Sequence, residues 1–252
     1  MEKLSIKKDW HKFFFKNSFY NPASPEAVKR AEKEVNFILK KSKIKKGAAV
    51  LDLCCGPGRH SLVFAEKGFK TTGVDFSKEY LREAENKAKA KKLSMLLIKK
   101  DMREINFKER FDLAVNLFTS FGYFIKKTDD LKTLKNLHKA LKKGGKLFLD
   151  VINGDFIRKN YRHKHWEKIG KDYFLLEKTV LSKDKKTSLN EWTKIKNGKI
   201  SSGKFFVRLY GKRDISEILN KAGFKILSFY GNFEGKKLSV DKNRLIVLAE
   251  KS

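Results

Sequence analysis

The chain has 252 residues, enough to bury a full core as one domain or as one domain with an insertion. No apolar run approaches the roughly 20 residues of a membrane span, and no signal peptide is evident, so the expected location is the cytoplasm. The formal charge is +30, from 59 Lys and Arg against 29 Asp and Glu, which admits a nucleic-acid partner. Yet lysine greatly outnumbers arginine and is spread along the whole chain, so a general surface bias accounts for the charge as well. The two cysteines, Cys54 and Cys55, are adjacent, which suits neither a disulfide nor a C-x-x-C metal site. No metal is expected.

Residues 1–23 are dense in aromatics, with Trp10, Phe13, Phe14, Phe15, Phe19 and Tyr20 beside His11. They read as a terminal helix packed on the core or as a lid over a ligand. Tyr20, with a phenol donor on an apolar body, is the residue selected to reach that ligand. Ser24-Pro25-Glu26 signals a helix start. Val28, Ala31, Val35, Ile38 and Leu39 follow at helical spacing and are expected to face a sheet. After a basic linker, residues 48–53 form an apolar run broken only by Asp52, as a buried parallel strand does. Gly56 and Gly58 mark a tight turn into a helix over 59–67 that Gly68 stops. The unpaired N–H groups of that helix start favour a carboxylate or phosphate.

The next strand, 69–74, ends in Asp75-Phe76-Ser77, and Ser77 caps a helix to about residue 91. A third strand over 94–99 leads to Asp101-Met102-Arg103. Residues 111–118 form a fourth, ending near Leu117 in the loop Thr119-Ser120-Phe121-Gly122-Tyr123-Phe124. In open α/β sheets ligands bind beyond the carboxyl ends of the strands, which puts this loop at the site. Thr128-Asp129-Asp130 is read as the cap and first turn of a helix that Gly144-Gly145 ends, with His138 at its core boundary. A fifth strand covers 146–152. Residues 154–210 change character, with alternating runs near 173–181, 189–195 and 204–210 and a hairpin signal at Asn197-Gly198. Asp214 is read as the cap of the last helix, with Glu217 at N3, before closing strands over 225–230 and 244–248.

Gly56-x-Gly58-x-x-Ser61 nearly satisfies a dinucleotide fingerprint, a weak signal alone. A carboxylate at the tip of the second strand serves the ribose of either a nicotinamide or an S-adenosylmethionine ligand. The discriminating residues are Asp52 before the turn, Cys54 and Pro57 inside it, and the later motifs. Asp52-Leu53-Cys54-Cys55-Gly56-Pro57-Gly58 resembles the first motif, D-x-G-x-G-x-G, of the class I S-adenosylmethionine-dependent methyltransferases, with Cys54 departing from the first glycine. Gly73-Val74-Asp75-Phe76-Ser77 is similar to that family's ribose motif, and Asp101-Met102-Arg103 to its adenine motif. Lys142-Lys143-Gly144-Gly145 resembles the turn before its fifth strand. The resemblance covers about residues 45–152 and returns from about 212.

It implies a Rossmann-like seven-stranded α/β sheet with helices on both faces, an antiparallel β insertion, and a seventh strand antiparallel beside the fifth. The expected divisions are 1–45 as an N-terminal lid and first helix, and 46–153 as the cofactor core. Residues 154–210 are the β-rich substrate insertion, and 211–252 close the core. The implied cofactor is S-adenosyl-L-methionine, held by Asp52, Cys54, Gly56, Gly58, Asp75, Phe76, Asp101, Met102 and Leu117, with Tyr20 from the lid. A similar Ser-Phe/Val-Gly-Tyr loop occurs in small-molecule N-methyltransferases of the family, and the Asn/Asp-Pro-Pro-Tyr/Phe motif is lacking.

The expected activity is methyl transfer to nitrogen or oxygen of a small-molecule acceptor. The alternatives are an RNA methyltransferase using the basic surface and a noncatalytic adenosine-ligand module. A neutral amine or a deprotonated hydroxyl calls for a base near the methyl group. Tyr123, His163, His165 and Tyr210 are the candidates, and Arg162 and Arg208 are candidates to hold an acidic substrate group.

Overall fold

The structure is a computed structural model that describes residues 6–7, 10–15, 22 and 24–252. In chain order the elements are α1 (Trp10–Phe14), α2 (Pro25–Ser42), β1 (Ala49–Leu53), α3 (Arg59–Glu66), β2 (Lys70–Asp75), α4 (Lys78–Ala90), β3 (Leu96–Lys99), β4 (Phe111–Asn116) and α5 (Lys127–Ala140). Then come β5 (Leu141–Ile152), α6 (Gly154–Lys159), β6 (Lys164–Gly170), β7 (Tyr173–Leu181), β8 (Thr187–Lys196), β9 (Lys199–Arg208), α7 (Lys212–Lys221), β10 (Phe224–Tyr230) and β11 (Arg244–Lys251).

Seven strands form one sheet in the order β10-β11-β5-β4-β1-β2-β3. β1 to β5 pair in parallel, whereas β11 runs antiparallel to both β5 and β10. The expected seventh strand is therefore in place. Side chains alternate between two covered faces, as strand geometry requires. Leu51, Leu147, Leu149, Leu245 and Val247 pack with α5 and α7 on one face. Val50, Leu113, Phe148, Ile246 and Leu248 pack with Val35 and Ile38 of α2 and Phe64 of α3 on the other. Ser24 and Ser77 cap α2 and α4 through their hydroxyls, as read from the sequence.

Four details differ from expectation. Val28 is 48% exposed and does not face the sheet; Glu34 is buried on that stripe instead. The cap of α5 is Lys126, which places Thr128 inside the first turn. The cap of α7 is Gly211, whose N–H donates to the Asp214 carboxylate at 3.1 Å, so Asp214 stands at N3. α5 stops at Ala140, before the glycine pair, and β5 starts at once with a register shift opposite Phe111 and Leu113.

The second sheet is a meander, β6-β7-β8-β9. Asn197 and Gly198 both take left-handed φ (49° and 73°), as the tight turn joining β8 to β9 demands. β6 is an edge strand whose seven residues are all exposed. Trp10 and Phe14 of α1 pack against Tyr123 and against Trp192 and Phe205 of this sheet. Among the described residues no helix is long and apolar enough to cross a membrane.

Candidate active site

The glycine turn is built by backbone hydrogen bonds at the tips of β1 and β2. The Cys54 and Cys55 N–H groups both donate to the Val74 carbonyl, at 2.7 and 3.0 Å. Cys54 takes φ 63°, a left-handed conformation that costs an L-residue about 1 kcal/mol and that glycine adopts freely. The departure at that position thus keeps the backbone shape. It also adds a sulfur 3.6 Å from Met102 Sδ. Burial pushes both cysteine thiols well above their usual range, away from the reactive thiolate form.

Asp75 ties the turn together. Its carboxylate accepts the Gly56 N–H at 2.8 Å and the Ser77 N–H at 2.9 Å. Burial raises its carboxyl to about 6, despite these two bonds. A Cβ on Gly56 would meet only Pro22, at 3.8 Å, so this side of the turn opens into a cavity.

Gly58 is different. A Cβ there would lie 2.8 Å from the Ala84 Cβ of α4, and Gly58 does not line the cavity. Its glycine is required by φ 79° and by the close packing of α3 on α4, which corrects its expected place against the ligand. Gly58→Val should therefore destabilise the fold by about 2 kcal/mol or more, through overpacking and strain. Thermal unfolding checks this, and Ala84→Gly in the same chain should restore part of the loss. A Gly58→Val protein of undiminished stability would contradict this assignment.

The cavity beyond the turn measures about 110 Å³. It is lined by Asp52, Cys54, Gly56, Asp75, Phe76, Asp101, Met102 and Leu117, the expected cofactor residues apart from Gly58 and Tyr20. Tyr20 lies outside the described residues. Asp52 is buried, and the Ser61 hydroxyl donates to it at 2.5 Å; burial raises its carboxyl. Burial also raises Asp101, but its bonds from Arg103 outweigh that and leave it below the usual range. Arg103 grips Asp101 at 2.7 and 3.0 Å, reaches Asp129 at 3.2 Å, and lies 4.3 Å over the Phe124 ring. It is thus a neighbour-holding arginine.

In a chain of charge +30, three aspartates around one glycine turn suit a cationic ligand with hydroxyls and oppose a pyrophosphate. Met102, Phe76 and Leu117 add apolar surface for a ring.

A second cavity of about 600 Å³ adjoins the first, and Phe15, Phe118 and Tyr123 line both. The wall between them depends on the loop after β4. Phe118 and Thr119 both take positive φ, 55° and 59°. Buried Asp150 holds them there: its side chain accepts the Phe118 N–H at 2.9 Å and its carbonyl accepts the Thr119 N–H at 3.0 Å. Arg244 donates to Asp150 at 2.8 Å and to the Thr119 hydroxyl at 3.0 Å. On the first-cavity side, the Arg59 guanidinium lies 3.7 Å from the Phe118 ring centroid. The His60 ring stacks on Phe118 at 5.7 Å and is anchored to buried Glu34 at 2.7 Å.

The four base candidates separate. Tyr123 fronts both cavities, and His165 lines the second. His163 lines neither; it is exposed, with Nδ1 3.0 Å from the Thr179 carbonyl, and is corrected to an edge residue of the second sheet. Tyr210 is also corrected. It is 1% exposed, its hydroxyl donates to Asp130 at 2.8 Å, and burial followed by the Asp130 charge holds its phenol far above the ordinary value. Arg208 is likewise engaged, donating to Asp130 at 2.9 Å and to the carbonyls of Phe124 and Ile125. Arg162 lines the second cavity.

Sequence reasoning missed Glu34, His60, Asp150 and Arg244. A signal existed for two of them. His60 follows the glycine turn directly, and Asp150 interrupts an apolar strand as Asp52 does.

Comparison with known proteins agrees with this architecture. A family model described as a methyltransferase domain matches residues 50–145. YqeM of Bacillus subtilis (strain 168), which bears the name of a methyltransferase, is 28% identical over 81% of this chain and 84% of its own length. The glycine/sarcosine N-methyltransferase of Aphanothece halophytica is 34% identical over 54% of this chain, and the match spans only 52% of that enzyme. The crystal structure of an S-adenosylmethionine-dependent methyltransferase from Clostridium acetobutylicum ATCC 824 has the same fold. Its TM-score is 0.78 at 24% identity, over 87% of this chain and 91% of that one. The chain carries a methyltransferase domain over residues 50–145 on the class I fold, and it is an enzyme that uses S-adenosylmethionine as methyl donor.

Proposed function

We propose that the chain methylates a nitrogen or oxygen of a small-molecule acceptor held in the second cavity. The observation that carries this reading is the shared wall of Phe15, Phe118 and Tyr123 between a carboxylate-lined cavity and an aromatic one. The first cavity fits the cofactor by its donor set. Asp75 accepts from ribose hydroxyls with the lone pairs left after Gly56 and Ser77. Asp101 and Met102 receive the adenine, with Phe76 and Leu117 against the ring. Gly56 permits close approach of the backbone. Bound there, S-adenosylmethionine supplies a methyl group already activated on a sulfonium.

The protein's task is then alignment and exclusion of water. Trp10, Phe14, Tyr123, Trp192 and Phe205 crowd the acceptor side with rings. Tyr123 fronts both cavities and is the residue that orients the incoming lone pair. Residues 154–210 serve as the acceptor-side unit, with β7 to β9 as its wall. The N-methyltransferase relative of Aphanothece halophytica, whose name gives amino-acid acceptors, supports a small acceptor here.

The test is radiolabelled methyl transfer into a cell extract split into RNA, protein and metabolite fractions. Label should enter the metabolite fraction. Label confined to RNA or protein would overturn the proposal.

A further inference from the structure

The second cavity carries one carboxylate that no described residue pairs with or bonds to. Glu177 of β7 stands opposite His165 of β6 and Trp192 of β8, and all three line the cavity. The Glu177 carboxylate is half-buried. Among the described residues it has no ion pair and no hydrogen bond, in a chain with 59 Lys and Arg. The other full charges on the lining do not answer it. Arg244 is paired with Asp150 at 2.6 Å, and Arg162 is exposed at the rim. Burial, and then the nearby Glu167 charge, push the Glu177 carboxyl up against a smaller opposing pull from His165, the condition that an arriving cation relieves.

The buried Trp10 ring, 5.2 Å from Tyr123, lines the same cavity. The rings of Phe14, Trp192 and Phe205 pack together beside Glu177, whose cross-strand neighbour is Trp192.

We propose that the acceptor bears a protonated amine and that Glu177 anchors it, away from the atom that receives the methyl group. Glu177 does not line the wall shared with the first cavity, so the ammonium it holds is not the reacting centre. Glu177 is accordingly a specificity-determining residue, not a base. This inference rests on the small-acceptor reading.

The experiment supplies radiolabelled S-adenosylmethionine and two metabolite pools from a cell extract, amine-bearing and amine-free, separated by strong cation exchange at acid pH. Label should enter the amine-bearing pool. Glu177→Gln should raise the apparent KM for the active fraction about tenfold or more, the loss of one charge-assisted bond, with the effect on KM rather than on kcat. Cofactor titration should match the unmutated protein and serves as the folding control. Label only in the amine-free pool, or a KM untouched by Glu177→Gln, overturns the anchor while leaving the small-acceptor reading intact. Label only in RNA or protein overturns that reading itself.

Discussion

Asp75→Ala should weaken S-adenosylmethionine binding by about 1.5–3 kcal/mol, the scale of hydrogen bonds made to a charged acceptor. The carboxylate lies at the tip of β2, 6% exposed, and accepts the Gly56 and Ser77 N–H groups. Removing it takes away the acceptor proposed for the ribose hydroxyls and also unfastens the glycine turn from the neighbouring strand. The pH dependence separates these two roles. The folded carboxyl is raised to about 6, against an ordinary 3.8.

Binding through the ionised form therefore weakens as pH falls through about 6, and Asp75→Asn should flatten that step. Stability follows the opposite sign. The folded state holds the proton more tightly than the unfolded chain, so this group's contribution is fully present below pH 3.8 and is lost as pH rises through about 6. Calorimetric titration and thermal unfolding across pH 4 to 8 measure both trends. Unchanged affinity in Asp75→Ala would remove the residue from the site.

The largest loss of stability is expected from Asp130→Leu, at about 3–5 kcal/mol, because it leaves a partly buried guanidinium without its counter-charge. Asp130 is fully buried, and it accepts from Arg208 at 2.9 Å and from the buried Tyr210 hydroxyl at 2.8 Å. Arg208 in turn donates to the Phe124 and Ile125 carbonyls, and its backbone N–H donates to Gly122. The node thus joins α5, the end of β9 and the loop that carries Tyr123. Turnover should fall with stability. Combining Asp130→Leu with Arg208→Met should recover much of the stability, since an apolar pair replaces a stranded charge. Urea unfolding tests this; a loss below about 1 kcal/mol would contradict the role given to the pair.

The same node shows where the sequence stops being informative. Strands β1, β2, β4 and β5 were legible because apolar runs end at Leu53, Asp75, Leu117 and Asn153, each beside a turn signal. The candidate cofactor residues sit within a few positions of those ends, so the motif and the topology bring them to one cavity. Asp130 reads in sequence as an acid favouring a helix start, and nothing local shows that two groups nearly 80 residues away are bonded to it. The sequence alone therefore offers Tyr210 as a base and Arg208 as a holder of an acidic substrate group, whereas long-range bonds commit both to the fold.

The α2 stripe failed for a related reason. Glu34 is buried because His60 meets it across the α2–α3 contact, and Val28 faces out instead. β6 carries no alternation of burial, since both its faces are exposed at a sheet edge, and no periodic signal marks it. The left-handed residues Phe118 and Thr119 also escape the sequence, because buried Asp150 and Arg244 set that conformation from other strands.

Parallel calorimetric titrations of S-adenosylmethionine and NAD into the intact protein, repeated with Asp75→Ala, test the central claim most directly. One molecule of S-adenosylmethionine should bind per chain, more weakly after the substitution, and NAD should give no heat of binding. Saturable NAD binding with a flat S-adenosylmethionine titration would contradict the account.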